Sequence, residues 1–182
     1  RSSCSDPEML RFAQHDEIGA RLPGVKMLSE QQVKEFDRNG CLIGGKVISD
    51  DEVQELRDEL DRVISKGQNG FGTDEPKPVL ISNLSGKADA PVWQIVNIWE
   101  ASPAFERLLY TKPVIEAISQ LTHQPDIQIW QDQIQYKPPK HGGVNNWHQD
   151  APYWPVLAPQ TPVTAWIALD EVDESNGCMW MV

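Results

Sequence analysis

The period of the apolar residues changes at Asp126. Ahead of it they recur at helical spacing; behind it, in "IQIWQDQIQY", they alternate one by one. A helix buries a stripe at i, i+3, i+4 and i+7, whereas a strand buries every second residue. The chain therefore has to divide into a helical part followed by a β part. That order is expected to give an α+β fold, with helices laid on one face of a sheet or barrel.

The helical part carries its own punctuation. In "SEQQVKEFDRNG", Ser29 precedes Gln32 by three positions, which is a capping box, and Gly40 supplies the stop. "CLIGGKVI" reads as a short strand. Ser49 and Glu52 repeat the capping box, and Asp50 and Asp51 suit the positive helix start. Val53, Leu56, Leu60, Val63 and Ile64 then form one stripe, closed by Gly67. Residues 68–78 are loop, and apolar runs follow at 79–84 and 92–98. Ser102 reads as a cap with Pro103 at the first helical position, and "KPVIEAISQLTH" as one more helix.

Beyond Asp126, strands are expected at "IQIWQDQIQY", "VNNWHQDAPYW" and "PVTAWIALD", with "KPPKHGG" as a loop. Asn176-Gly177 signals a turn, and "CMWMV" reads as the start of a strand cut off inside a sheet. Residues 1–26 begin with Arg rather than Met and read as a loosely ordered extension. Residues 27–182 form one domain, with a helical part over 27–125 and a β part over 126–182.

The 182 residues carry a formal net charge of −11, and the pI is about 4.7. That charge argues against nucleic acid and anionic membrane surfaces as partners. No apolar run approaches the roughly 18 residues of a membrane span. Cys4, Cys41 and Cys178 are odd in number and widely spaced, without zinc-ligand spacing. A reducing, cytoplasmic setting is expected.

The chemistry concentrates in "NNWHQDAPYWP". On a strand, His148 and Asp150 would project from one face and could occupy adjacent corners of a metal's coordination sphere. A second histidine from a distant strand would complete the facial triad of non-haem Fe(II) oxygenases. Three positions then stay open, two for a chelating 2-oxo acid and one for O₂. His-x-Asp by itself is common, and its bland reading is a surface histidine beside a loop carboxylate. Three neighbours favour the metal: the flanking aromatics Trp147, Tyr153 and Trp154, the Gly/Pro-rich loop before the pair, and the tryptophan-bearing "VTAWIALD" after it.

Taken together, "YKPPKHGGVNNWHQDAPYWP", "VTAWIALD" and "NGCMWMV" resemble the phytanoyl-CoA dioxygenase family of Fe(II)/2-oxoglutarate oxygenases. "LSEQQVKEFDRNGCLI" followed by "ISDDEVQELRDELDRVI" is similar to its usual opening. The resemblance covers roughly residues 27–182 and implies a double-stranded β-helix, a jelly-roll or cupin-like barrel with flanking N-terminal helices. The barrel is expected to be incomplete in this chain. The resemblance further implies His148 and Asp150 as iron ligands, with Gln149, Gln133, Trp166 and Asn97 as contacts of 2-oxoglutarate. It also implies a distal histidine and a carboxylate-binding arginine beyond Val182, so activity is expected to need the continuation. Because Asp150 is present, hydroxylation is favoured over halogenation.

Bland readings stand beside these roles. Trp166, with Thr164 and Ala168, could be barrel packing, and Gln133 could belong to a solvated face with Gln131 and Gln135. Lys137 reads as a solvated loop charge. His15, His123 and His141 read as non-ligands. Trp147, Tyr153 and Trp154 are expected at the substrate mouth, although they could simply cover the barrel end. Two other functions stay open: a non-catalytic barrel that binds or scaffolds, and a zinc hydrolase.

Overall fold

A computed structural model of the chain describes residues 28–140, 145–158 and 163–181. The expected N-terminal extension, with Cys4 and His15, and His141 lie outside the described residues.

Both capping boxes form. In α1 (Glu30–Asn39) the Ser29 and Gln32 side chains cap one another's backbone amides, and Gly40 closes the helix at φ 72°. In α2 (Asp50–Lys66) Ser49 and Glu52 do the same. Three four-residue strands follow: β1 (Leu80–Asn83), β2 (Trp93–Val96) and β3 (Gln133–Tyr136). They pair antiparallel in the order β1-β2-β3, with Ile81 opposite Ile95 and Ile95 opposite Ile134. A 3-10 turn (Ile98–Ala101), α3 (Pro103–Leu109) and α4 (Lys112–Thr122) lie between β2 and β3. The fold is α+β, as expected. Two of its strands, however, fall inside the part read as helical, because Ile81 and Ile95 alternate with more exposed neighbours.

The core explains the layout. The α2 stripe lays Leu56, Leu60 and Val63 against Ile81, Ile95, Ile98 and Phe105. Burying each such side chain contributes about 1.5–3 kcal/mol. The helix therefore covers one face of the sheet. The other face carries Gln94, Gln133 and Gln135, out of phase with Ile95 and Ile134. The Gln120 side chain ties α4 to the start of α1 by bonding both the N–H and the carbonyl of Leu28, at 3.2 and 2.8 Å.

Ser102 departs from its expected role. Pro103 does open α3, but the Ser102 side chain caps nothing. It is buried, and its hydroxyl donates to Glu59 Oε2 at 2.7 Å. Glu59 also accepts both arms of the Arg62 fork, at 3.0 and 2.9 Å, and Arg62 Nη2 donates to the Ala101 carbonyl at 2.6 Å. A buried hydroxyl near a carboxylate gains more from that charge than from a cap.

Among the described residues several expected strands are absent. "CLIGGKVI" forms none; Gly45 sits at φ 83° and Ile43 is exposed, so nothing pairs with it. "VNNWHQDAPYW" is interrupted where Asp150 turns helical (φ −73°, ψ −38°) and opens a second 3-10 turn, Ala151–Tyr153. "VTAWIALD" keeps its alternation but has no ladder. Ile167 and Leu169 pack on the core, and Arg57 of α2 donates to the Leu169 carbonyl at 2.6 Å and to Asp170 at 2.9 Å. Met179, Trp180 and Met181 of "CMWMV" are exposed and unpaired in any sheet. Among the described residues the sheet is open and no barrel closes. The turn at Asn176-Gly177 does form, with Gly177 at φ 109°.

The Glu59 network makes a pH-dependent prediction. The Arg62 fork and then the Ser102 hydroxyl hold the Glu59 carboxyl below the usual range. A depressed folded value adds stability above the unfolded value of about 4.3, lost as pH falls through the folded one. Ser102→Ala is expected to cost about 1–2 kcal/mol at pH 7, and the deficit should shrink as Glu59 protonates. Thermal melts from pH 7 to pH 3, beside exposed Ser65→Ala, check this. A deficit that does not change with pH would count against the network.

Candidate metal centre

The loop at 145–154 brings His148 and Asp150 together by a turn rather than along a strand. His148 Nε2 lies 3.4 Å from Asp150 Oδ1, each side chain a little under half exposed. His148 Nδ1 lies 2.7 Å from the Asn146 carbonyl. A carbonyl only accepts, so Nδ1 carries the hydrogen. In the neutral ring this leaves the Nε2 lone pair facing the carboxylate.

That arrangement fits a metal. Two ligands about 2.1 Å from a shared ion lie roughly 3.0–3.4 Å apart for angles between a right angle and tetrahedral. A backbone carbonyl on the other ring nitrogen is the usual partner of a ligating histidine. The same separation also suits an ion pair between a protonated imidazole and Asp150. Among the described residues no third His, Cys, Asp or Glu joins the pair.

Gln149, between the ligands, is exposed. Gln133 is on the helix-free face of the sheet, its Oε1 accepting from Gln94 Nε2 at 3.2 Å. Trp166 is about half exposed, in phase with exposed Thr164 and Ala168 and opposite to core-facing Ile167 and Leu169. It does not pack in the core. Trp147 and Tyr153 are exposed and Trp154 is half-buried; among the described residues only Tyr153 touches the His148 ring. His123 is exposed, and its amide closes the end of α4. Lys137 is half-buried.

A family profile described as phytanoyl-CoA dioxygenase (PhyH) matches residues 36–182. The chain belongs to that family. Over 156 residues it is 26% identical to a peroxisomal phytanoyl-CoA dioxygenase of Bos taurus, covering 84% of this chain and 46% of that protein. The Homo sapiens protein of the same name is 24% identical over 157 residues, with the same coverage. Phytanoyl-CoA dioxygenase 1 of Oryza sativa subsp. japonica is 26% identical over 188 residues, 88% of this chain and 66% of that one. The chain thus spans about half the length of its mammalian relatives. No solved structure matches. These relatives are named as oxygenase enzymes. Among the described residues no helix is long and apolar enough to cross a membrane.

Asn97 sits where β2 leaves the sheet, in the left-handed region at φ 54°. Its amide N–H donates to the Asp132 carbonyl at 3.0 Å, and its Nδ2 reaches Glu100 at 3.3 Å. Its Oδ1 is buried without a partner among the described residues, as is Oδ1 of Asp132. Asp132 went unnoticed in the sequence, yet its signal was there: it occupies the inward phase of the strand pattern shared by Ile134 and Tyr136. Burial pushes its carboxyl up to about 6, against the pull of the Trp99 and Ile98 amides.

A raised folded value means that the folded state holds its proton longer. Between about pH 4 and pH 6 the unfolded chain loses its proton first, so stability falls as pH rises and stays reduced above pH 6. Asp132→Asn removes that penalty, and its amide oxygen can still accept from the Trp99 and Ile98 amides. It is expected to stabilise the protein at pH 7.5 by on the order of 1–3 kcal/mol, with no gain at pH 4. Denaturant titrations at the two pH values decide; equal or reversed effects would contradict the buried-carboxyl account.

Proposed function

We propose that the whole protein is an Fe(II)/2-oxoglutarate-dependent dioxygenase that hydroxylates a C–H bond of a small organic substrate. The carrying observation is His148 Nε2 set 3.4 Å from Asp150 Oδ1, with Nδ1 on the Asn146 carbonyl, in a chain of this family. His148 and Asp150 would hold the metal, and a third protein ligand would complete the triad. When bound, Fe(II) supplies oxidation by O₂, coupled to decarboxylation of 2-oxoglutarate to succinate and CO₂.

The remaining roles follow from which side of the sheet is free. In a double-stranded β-helix closed by the rest of the protein, the face without helices would line the interior. Gln133 lies on that face, and Trp166 points away from the helical core. Both are proposed to contact 2-oxoglutarate, with Gln149 beside the metal. Asn97 is kept as a further contact, through its unpartnered carbonyl. Its phase along β2 is that of core-facing Ile95, so it would reach the ligand from the sheet end. Trp147, Tyr153 and Trp154 would border the substrate. Residues 145–158 contain no Lys or Arg, so we do not adopt an acyl-CoA as the substrate. Among the described residues the Cys41 and Cys178 thiols form no disulfide; a reducing compartment, the cytoplasm, is proposed, and the mammalian relatives are named as peroxisomal.

In the full-length protein, His148→Ala and Asp150→Ala are each expected to abolish substrate-coupled succinate release, because each removes a metal ligand. Succinate is measured with Fe(II), 2-oxoglutarate, O₂ and a confirmed substrate. Unimpaired turnover in both variants would end the assignment.

A further inference from the structure

The loop that holds the metal pair also contains a residue that acts on it. The rings of Tyr153 and His148 meet edge to face, with centroids 5.9 Å apart and planes at 79°. Such aromatic pairs favour this geometry. We propose that Tyr153 is a positioning residue for His148, its ring holding the imidazole in the orientation that turns Nε2 toward Asp150. This inference rests on the metal-pair reading and deepens it.

The backbone is what places Tyr153. Its amide N–H donates to the Asp150 carbonyl at 2.9 Å, closing the 3-10 turn that begins at the carboxylate ligand itself. Pro152, inside that turn, has its φ restricted by its own ring. The position of the Tyr153 ring is thereby tied to Asp150. Asn146 anchors the opposite end: its carbonyl accepts from Nδ1 and fixes which nitrogen carries the hydrogen. A hydrogen bond at one nitrogen still lets an exposed ring swing about that point. The Tyr153 ring blocks the swing. Among the described residues the Tyr153 hydroxyl bonds nothing, so the ring rather than the phenol supplies the effect. This contact adds to the substrate-mouth role expected of Tyr153.

The role has a consequence that loss of bulk alone does not. Tyr153→Phe keeps the ring edge and should behave as wild type. Tyr153→Leu removes it and should release the imidazole. In full-length, metal-free protein, ¹⁵N NMR of His148 reads the two ring nitrogens, and a Co(II) titration then reads affinity. We expect wild type and Tyr153→Phe to show one tautomer, protonated at Nδ1, and equal affinity. Tyr153→Leu should show mixed tautomers and bind Co(II) roughly three- to tenfold more weakly, the range of a single aromatic contact. Wild-type nitrogen shifts in Tyr153→Leu would overturn the proposal, and so would weakening shared equally by the Phe variant. His148→Ala separates the two readings. If it leaves Co(II) affinity unchanged, the metal assignment fails, while the nitrogen shifts of the other variants still judge Tyr153.

Discussion

Val63, Ile95 and Ile98 are fully buried and Phe105 almost so, and their packing decides where the rest of the chain can go. Once α2 takes one face of the β1-β2-β3 sheet, the 3-10 turn and α3 must close the edge of that contact. The Glu59–Arg62–Ser102 bonds do this. The polar phase of the strands is then left on the other side. Gln133 is therefore available to a ligand because Ile134 is not. The same division sorts "VTAWIALD": Ile167 and Leu169 commit to the helical core, and Trp166 is turned outward. A candidate ligand face thus follows from which hydrophobic residues α2 covers.

The helices were legible because their signals are local. A capping box requires only residues three apart, and both predicted boxes form with both reciprocal bonds. A strand is a statement about a partner. "CLIGGKVI" and "CMWMV" have strand composition, but composition cannot say which chain will offer a ladder. "VTAWIALD" is the instructive middle case, since its alternation is real and buries the expected phase. It is held by the Arg57 side chain rather than by a neighbouring strand. Ser102 failed for a related reason. Its pattern is that of a cap, and the competing partner, Glu59, is 43 residues away along the chain.

The candidate site was legible at its centre and illegible in its route. His148 and Asp150 were paired on the argument that a strand points i and i+2 to one face. They are adjacent, but through a loop that turns at Asp150 and is closed by the Tyr153 amide. The residue types carried the correct pairing; the period assigned to them did not. The Asn146 carbonyl was beyond sequence reasoning, since any residue type has one.

This difference in route bears on how such a site assembles. Asn146, His148, Asp150 and Tyr153 fall within eight consecutive residues, and the bonds that orient them run within the same segment. Two of the three protein ligands proposed could therefore be oriented without closing a barrel. A third ligand from elsewhere would meet a pair already oriented, and the ordering cost of binding would fall mainly on that last group. Few side chains are needed to hold the pair, and the turn that aims them is made largely of backbone.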